Sequence, residues 1–268
     1  MSADGACAFA PGGPLAASPA LFDMHCHLDF DPNPVAAARA AAVCGLGVFS
    51  ATVEPVSYVP AATALAPFDN VRVGLGLHPW WVATGAAGEE QLAAFERLAS
   101  DARFIGEVGL DFGRAHAGTA QAQLAAFERL SVACAGGGHV LTIHAVRAAG
   151  TVMDVLERCG ALVGNACVLH WFSGASDELN RAVKLGFCFS VNPRMLETRR
   201  GRAYARAIPE DRLLLETDAP EEGAPYDAPA RAAQLADMVG VLADLRGASR
   251  DDLGEAIAET SHRLLKTS

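Results

Sequence analysis

The feature that most constrains the fold is a regular alternation of short apolar segments with amphipathic segments of helical period. Eight apolar segments are predicted to be strands: Leu21–His27, Leu46–Val53, Val71–Leu77, Arg103–Val108, Val140–His144, Val168–Trp171, Phe187–Val191 and Leu213–Thr217. The predicted helices are 34–44, 57–66, 89–101, 119–135, 149–159, 176–185, 195–207, 228–245 and 250–266. This alternation predicts βαβ units and a parallel sheet. Eight units in about 250 residues favour a (β/α)8 TIM barrel, and a doubly wound open sheet is the alternative.

The composition supports one well-packed domain. The chain has 268 residues, of which 51% are hydrophobic, so it can bury a large core. Residues 1–20 are rich in Ala, Gly and Pro and lack the basic segment of a secretory signal. We therefore expect a disordered tail over 1–20 and a single barrel domain over 21–268.

Cysteine usage and charge narrow the compartment and the partners. The seven cysteines are an odd number without a C-x-x-C pair, which predicts reduced thiols in the cytoplasm. No apolar run is long enough to span a membrane. The net charge of −10 argues against binding long duplex DNA by charge alone, but it allows a small phosphate-bearing substrate or a strand end held by metal ions.

Ligand-type residues occur where the predicted strands end. The first strand ends in His25 and His27, which share one face because they are two residues apart, while Cys26 turns the other way. Two imidazoles together are typical of a metal site, although this pair alone suits a structural role equally well. Further strands end in His78, Glu107, Asp111, His144, His170 and Asp218. Barrel enzymes place their sites at these strand ends, so the convergence predicts a metal site there. Asp111 also suits a turn, which we favour.

Five short blocks follow one another in a fixed order: Asp23–Leu28, Gly76–Pro79, Gly106–Asp111, Leu169–Gly174 and Glu216–Pro220. In this order they resemble the signature segments of TatD-family metal-dependent hydrolases of the amidohydrolase superfamily, and Gln123 and Phe127 also match. The resemblance covers about residues 21–268. It implies a TIM barrel, two divalent metals and DNase activity, often 3′-exonuclease action on single strands.

The resemblance also implies a role for each ligand-type residue. It assigns His25, His27 and Asp218 to a first metal, His144 and His170 to a second, and Glu107 to a bridge between them. It places His78 near the scissile phosphate. Mixed nitrogen and oxygen donors suit Mg²⁺, Mn²⁺ or Zn²⁺ without choosing among them. Two such ions can activate a water and stabilise a leaving oxygen, with Asp218 as proton acceptor and His78 as hydrogen-bond donor.

Substrate contacts are predicted from cationic and aromatic residues near the strand ends. Trp80 could stack a base or cap the barrel top, and Arg147 and Arg194 could contact phosphate. Arg194 belongs to a cluster with Arg199, Arg200, Arg202 and Arg206, which suits either a phosphate-contacting rim or a solvated helix face. Two departures from the family pattern concern the substrate. Arg147 follows His144 by three residues instead of two, and the acidic segment 221–227 replaces an Arg-Gly and Asn-Pro segment.

These observations lead to one main hypothesis and two rivals. The main hypothesis is a TatD-like hydrolase of phosphodiester bonds, a deoxyribonuclease that acts on single-stranded DNA or a strand end. One rival is hydrolysis of a small non-nucleic substrate, such as a lactone, an amide or a phosphoester, which the acidic 221–227 segment favours. The other is a catalytically silent metal-binding subunit, against which the complete ligand set argues.

Overall fold

Eight parallel strands form one sheet, in which each strand pairs with the next along the chain. The computed structural model describes residues 20–266. The strands are β1 (Leu21–Cys26), β2 (Leu46–Ala51), β3 (Val71–Leu77), β4 (Phe104–Asp111), β5 (Val140–Val146), β6 (Ala166–His170), β7 (Cys188–Val191) and β8 (Leu213–Leu215). The predicted (β/α)8 barrel is therefore confirmed, and the open doubly wound sheet is excluded.

The sheet closes through the segment that follows β8. The Asp218 amide donates a 2.9 Å hydrogen bond to the carbonyl of His25, and the His27 amide donates one of 2.9 Å to the carbonyl of Ala219. These bonds continue the strand pairing beyond the end of β8. They bring the histidines of β1 beside Asp218, although more than 190 residues separate them along the chain.

Eleven α-helices occur within residues 20–266: α1 (Pro34–Val43), α2 (Pro55–Leu65), α3 (Pro79–Thr84), α4 (Glu89–Ala99), α5 (Ala120–Ala133), α6 (Ala149–Arg158), α7 (Ser176–Leu185), α8 (Pro193–Leu196), α9 (Arg199–Ala207), α10 (Ala228–Arg246) and α11 (Arg250–Leu265). Helix α3 was not predicted, and the predicted helix 195–207 is two helices. Thr198 separates them because its hydroxyl caps α9 by accepting a 2.9 Å hydrogen bond from the Gly201 amide.

The core has an outer and an inner part. The outer part lies between the strands and the surrounding helices and includes Cys26, as predicted. The inner part fills the barrel away from the site and includes Phe22, Met24 and Phe49, with Leu264 of α11 packed against it. Both faces of every strand are thus covered, which explains the nearly continuous apolar runs in the sequence.

Two bulges change which residues face the barrel interior. Between the pairs Asp23–Val48 and Cys26–Ser50, β1 advances three residues while β2 advances two. Strand β4 likewise advances three residues from Ile105 to Val108 while both neighbours advance two. An extra residue reverses the alternation of a strand. The bulges therefore turn the side chains near the ends of β1 and β4 towards the site.

Gly106 makes the β4 bulge possible. Its φ is +146°, and a Cβ placed on it would lie 2.1 Å from Cγ2 of Thr142. Only glycine adopts this φ without strain, and only glycine, which has no Cβ, fits beside Thr142 without a shift of the neighbouring strand. The bulge directs the side chain of Glu107 into the barrel mouth, where it meets the histidines of β1, β5 and β6.

Two sequence predictions concern the chain ends and the membrane. The predicted tail, 1–20, lies outside the described residues except for residue 20. Within the described part of the chain, no helix combines the length and the apolar character that a membrane crossing requires.

Candidate metal centre

Seven side chains meet at the carboxyl ends of the strands, where the predicted ligands were expected. They are His25, His27, His78, Glu107, His144, His170 and Asp218. All are buried except Asp218, whose side chain is 26% exposed. Six of them, all but His25, line a cavity of about 680 Å³. The site is thus buried at its base and open towards solvent.

A first donor cluster surrounds one oxygen each of Glu107 and Asp218. His25 Nε2 lies 3.3 Å from Glu107 Oε2 and 3.6 Å from Asp218 Oδ1. His27 Nε2 lies 3.5 Å and 3.3 Å from the same two oxygens. Ligands about 2.1 Å from a metal are separated by roughly 3 to 3.5 Å. These four atoms could therefore hold one cation.

A second cluster surrounds the other oxygen of Glu107. His144 Nδ1 lies 2.8 Å, His170 Nε2 2.9 Å and His78 Nε2 3.1 Å from Glu107 Oε1. The nitrogens of His144 and His170 are 3.4 Å apart. Glu107 thus presents one oxygen to each cluster, which is the arrangement that a bridging carboxylate requires.

One buried atom shows that these residues fit a divalent metal. His25 Nε2 is buried and has no hydrogen-bond partner. A buried polar atom without a partner raises the free energy of the folded state, and a role as a metal ligand is a physical reason for keeping such an atom. The donors are imidazole nitrogens and carboxylate oxygens, which suit Zn²⁺, Mn²⁺ or Mg²⁺.

The ring tautomers identify which histidines can act as ligands. Two of them place their second ring nitrogen against an oxygen acceptor: His27 Nδ1 on the carbonyl of Ala51 at 2.9 Å and His144 Nε2 on Asp111 Oδ2 at 3.1 Å. An oxygen acceptor favours a proton on that nitrogen. The nitrogen that faces the cluster then carries the lone pair a metal needs.

His78 has the opposite tautomer. Its Nδ1 accepts a 3.2 Å hydrogen bond from the Trp80 amide, at the start of α3. Nδ1 therefore carries no proton, and Nε2 does. Burial lowers the pKa of His78 to about 4, although the charge of Glu107 opposes this, so the ring is neutral. His78 thus points an N–H group at Glu107 and is a hydrogen-bond donor rather than a third ligand of the second cluster.

Asp111 supports the second cluster from behind. Its Oδ1 accepts a 2.7 Å bond from the Gly113 amide, which confirms the predicted turn. Its Oδ2 accepts bonds from His144 Nε2 at 3.1 Å and from Trp80 Nε1 at 2.6 Å. The Gln123 side chain bonds the backbone N–H and C=O of Asp111, at 2.8 and 2.9 Å. Asp111 therefore stabilises the turn and also orients the ring of the predicted ligand His144.

The charges of the cluster favour bound cations. Burial by itself raises the pKa of Glu107, but His78, His170 and His25 hold it well below its ordinary range. Burial lowers the pKa of His27, but its hydrogen bond to Asp218 and the charge of Glu107 raise it to about 9 overall. Without a metal the site therefore attracts protons, and a divalent ion must displace them.

Two supporting residues were not assigned roles from the sequence. Thr142 Oγ1 lies 2.6 Å from His25 Nδ1, and fixes that ring from β5. Glu216, buried near His170, accepts hydrogen bonds from the Ser190 hydroxyl and from Asn192 Nδ2, the latter at 3.2 Å. The sequence signals for them were a position two residues before a predicted ligand, Thr142 before His144 and Glu216 before Asp218, and for Glu216 also its place in the block Glu216–Pro220.

The predicted substrate contacts separate into two groups. Trp80 and Arg194 line the cavity. Trp80 is 42% exposed and stacks on His116, with the ring centroids 5.3 Å apart. The guanidinium of Arg194 lies 5.3 Å from the ring centroid of Trp171, another lining residue that sequence reasoning had not singled out. Arg147 is exposed and does not line this cavity, so its substrate contact stays a prediction.

The comparison with known families agrees with this site. The model of the family described as TatD related DNase matches residues 22–266, nearly the whole barrel. The chain belongs to the TatD-related DNase family. TatD from Dickeya dadantii, named a 3′-5′ ssDNA/RNA exonuclease, is 32% identical over 87% of this chain and 90% of its own length. The metal-dependent hydrolase YjjV of Escherichia coli is 29% identical over 91% and 97%.

A solved TatD-family structure shows the same fold. The TatD-family hydrolase of Entamoeba histolytica superimposes with a TM-score of 0.73, at 17% identity, over 91% of this chain and 97% of its own. At this identity the likeness concerns the barrel alone. The donor clusters described above therefore rest on this chain's own side chains.

Proposed function

We propose that this TatD-family protein hydrolyses phosphodiester bonds in single-stranded DNA, and removes nucleotides from the 3′ end, with two bound divalent metal ions. One observation carries the proposal. Two clusters of donor atoms share Glu107, one oxygen each, at the base of an open cavity. The Dickeya dadantii relative, named a 3′-5′ exonuclease of single strands, supports the substrate and the direction.

The first metal would be held by His25, His27 and Asp218, the second by His144 and His170, and both by Glu107. When bound, the ions would activate a water and stabilise the leaving oxygen of the phosphodiester. The chain's own groups supply the proton steps. Asp218 is the proton acceptor, because its partly exposed carboxylate faces the cavity and its pKa is held low by His27 against the effect of burial.

His78 completes the arrangement as a neutral donor. Its Nε2–H points into the site, and its ring orientation is fixed by the Trp80 amide. It can therefore donate a hydrogen bond to a phosphoryl oxygen as negative charge grows there. The exposed ring of Trp80 offers a surface on which a base can stack, and Arg194 offers a cation for a phosphate.

The second candidate function is hydrolysis of a small non-nucleic ester, lactone or amide. Glu221 and Glu222 line the cavity mouth, and such carboxylates repel a polyanion. The same donor clusters would serve this reaction. We favour the nuclease because Arg194 also lines this cavity.

We also place the protein in the cytoplasm. Cys26, Cys134, Cys159, Cys167 and Cys188 carry free thiols, which persist in a reducing compartment.

The test uses metal-stripped protein and single-stranded DNA labelled at either end, with Mg²⁺, Mn²⁺ or Zn²⁺ restored separately. We expect metal-dependent shortening from the 3′ end, and its loss in His170→Ala. Two metals bound per chain without cleavage of DNA would refute the nuclease. A screen of small esters, lactones and phosphodiesters would then decide between the second function and a silent metal-binding subunit.

A further inference from the structure

Residues of opposite charge lie in and beside the lining of the metal-site cavity. One group, which we call the cationic rim, consists of Trp171, Ser173, Arg194 and Arg200. The other, the acidic wall, consists of Asp29, Glu54, Glu221 and Glu222. Trp171 and Ser173 follow β6, Arg194 follows β7, and Glu221 and Glu222 follow β8; all five line the metal-site cavity.

The cationic rim is continuous from the metal site to α9. Trp171 directly follows the predicted ligand His170, and the Arg194 guanidinium lies 5.3 Å from its ring centroid. Further out, Arg200 Nη2 donates a 3.1 Å hydrogen bond to the carbonyl of Ser173. The rim therefore offers an aromatic surface first and then a second cation, in the direction away from the metals.

The two arginines of the rim keep their charge available. Within residues 20–266, neither Arg194 nor Arg200 forms an ion pair with a carboxylate. By contrast, Arg129, Arg158 and Arg181 are each bound to carboxylates on neighbouring helices. In a chain with a net charge of −10, unpaired cations at the cavity mouth are available for an anionic ligand.

Trp171 is held in an unfavourable backbone conformation. Its φ is +41°, in the left-handed region that bulky residues rarely adopt. Such strain persists where the surrounding structure requires it and is concentrated at functional sites. The conformation places the indole on the cavity lining beside Arg194.

The acidic wall disfavours phosphates along the segments that follow β8, β1 and β2. Asp29, Glu54 and Glu222 line a second cavity of about 580 Å³, which shares Phe30, Val53, Trp81 and Glu222 with the metal-site cavity. A strand of phosphates along this wall would meet several carboxylates and no neutralising arginine among the residues that line it.

We propose that a single strand leaves the metal centre across the cationic rim, with the nucleotide next to the scissile phosphodiester packed against Trp171 and a phosphate bound by Arg194. This inference rests on the proposed nuclease function and adds the path of the strand. The base would stack on the face of the indole or on the guanidinium plane, both of which bind bases irrespective of sequence. The phosphate beyond it lies towards Arg200.

The experiment compares two substrates in the metal-loaded enzyme. Bis(p-nitrophenyl) phosphate occupies only the metal centre, whereas a long oligothymidylate must also cross the rim. The variants are Trp171→Gly, which suits the positive φ, Trp171→Phe, which keeps an aromatic ring, and Arg194→Ala. Arg206→Ala is the matched control, because it removes the same charge from an exposed position in α9 outside the cavity lining.

We expect Trp171→Gly to raise KM for the oligonucleotide roughly 5- to 150-fold, the effect of one lost stacking contact, with Trp171→Phe in between. Arg194→Ala should lower the slope of log KM against log salt by about 0.7, the value for one phosphate contact to a single strand. Hydrolysis of the small phosphodiester should fall much less than that of the oligonucleotide in the Trp171 and Arg194 variants. Arg206→Ala should match the parent on both substrates.

Three results would overturn the inference. In the first, Trp171→Gly and Arg194→Ala match Arg206→Ala on the oligonucleotide. In the second, they lose the small substrate to the same extent, which would mean that they support the metal centre instead. In the third, the parent hydrolyses the small phosphodiester but not the strand, which would refute the proposed nuclease together with the strand path. A parent that hydrolyses neither substrate refutes the proposed function itself, and the strand path with it.

Discussion

Replacing Asp111 by Asn should weaken metal binding without unfolding the barrel. The two carboxylate oxygens of Asp111 accept three hydrogen bonds, from the Gly113 amide, His144 Nε2 and Trp80 Nε1. Asn has one acceptor oxygen and an NH₂ group in place of the other. Whichever way the amide is oriented, the NH₂ group faces at least one N–H donor and leaves it without an acceptor.

The magnitude follows from which donor is lost. If the NH₂ group faces Gly113, a turn is weakened by about 1 to 3 kcal/mol, the cost of one unsatisfied buried donor. If it faces His144, the ring loses the acceptor that keeps its lone pair directed at the second cluster. Loss of such a supporting partner reduces metal affinity by about 10- to 100-fold. In both cases His144 loses the charge of the carboxylate, so we expect weaker binding of the second ion.

The assay is calorimetric titration of Zn²⁺ or Mn²⁺ into metal-stripped protein, together with the rise in Tm on metal addition. Asp237→Asn is the matched control, because it removes the same charge from an exposed position on α10. The metal-free variant should lose no more than about 10 °C in Tm, the shift that 1 to 3 kcal/mol produces in a chain of this size, but show a smaller rise with metal. Affinities for both ions equal to those of Asp237→Asn would refute the orienting role of Asp111.

Three further predictions test the fold around the site. Gly106→Ala should lower the free energy of unfolding, measured in urea, by about 2 kcal/mol or more, because the new Cβ would lie 2.1 Å from Thr142 Cγ2 at a φ of +146°. Gly118 has open space around it, so the control Gly118→Ala should not lower this free energy to a similar extent. Equal effects of the two substitutions would contradict the account of the bulge. Burial raises the pKa of Asp23 from 3.8 in the unfolded chain to about 7 in the folded protein, so the folded state binds a proton on this carboxyl more tightly. The stability that this proton contributes is fully present below about pH 4 and is lost as the pH rises through 7. Asp23→Asn should therefore flatten the fall in the free energy of unfolding between pH 5 and 8 by about 3 kcal/mol, and an unchanged slope would exclude a raised pKa. Burial also raises the pKa of Cys167 to about 12, so iodoacetamide at pH 8 should label this thiol only in the unfolded protein. Peptide mass spectrometry measures the labelling. Equal labelling rates in the folded and the unfolded protein would show that the thiol is accessible.

Local physical chemistry was enough to predict the barrel. Strands buried on both faces must be continuously apolar, and helices that cover them must have one apolar face, so the alternation of both patterns is visible along the chain. The candidate ligands were visible for a related reason. A parallel barrel brings all carboxyl ends of its strands to one edge, so His25 and Asp218 could be expected together without any knowledge of their contacts.

Short or bent elements were not predictable in the same way. Helix α3 has only six residues, too few to show a helical period, and the hydroxyl of Thr198 divides a pattern that reads as one helix. Arg147 and Arg194 looked equivalent in the sequence, since both follow a strand. Only the folded chain places Arg194 on the cavity and leaves Arg147 outside it.

The sequence by itself determined the fold class, the edge of the barrel that carries the site and the set of ligand-type residues. Tertiary structure decided which way those residues point. Strict alternation after Phe22 and Met24 would have turned His25 outwards, and the β1 bulge turns it in. Tertiary structure also decided that His78 presents a proton while His27 presents a lone pair, because each ring is set by a hydrogen-bond partner on its far side. Bulges and tautomers depend on neighbouring strands and backbone groups, and a linear pattern does not record them.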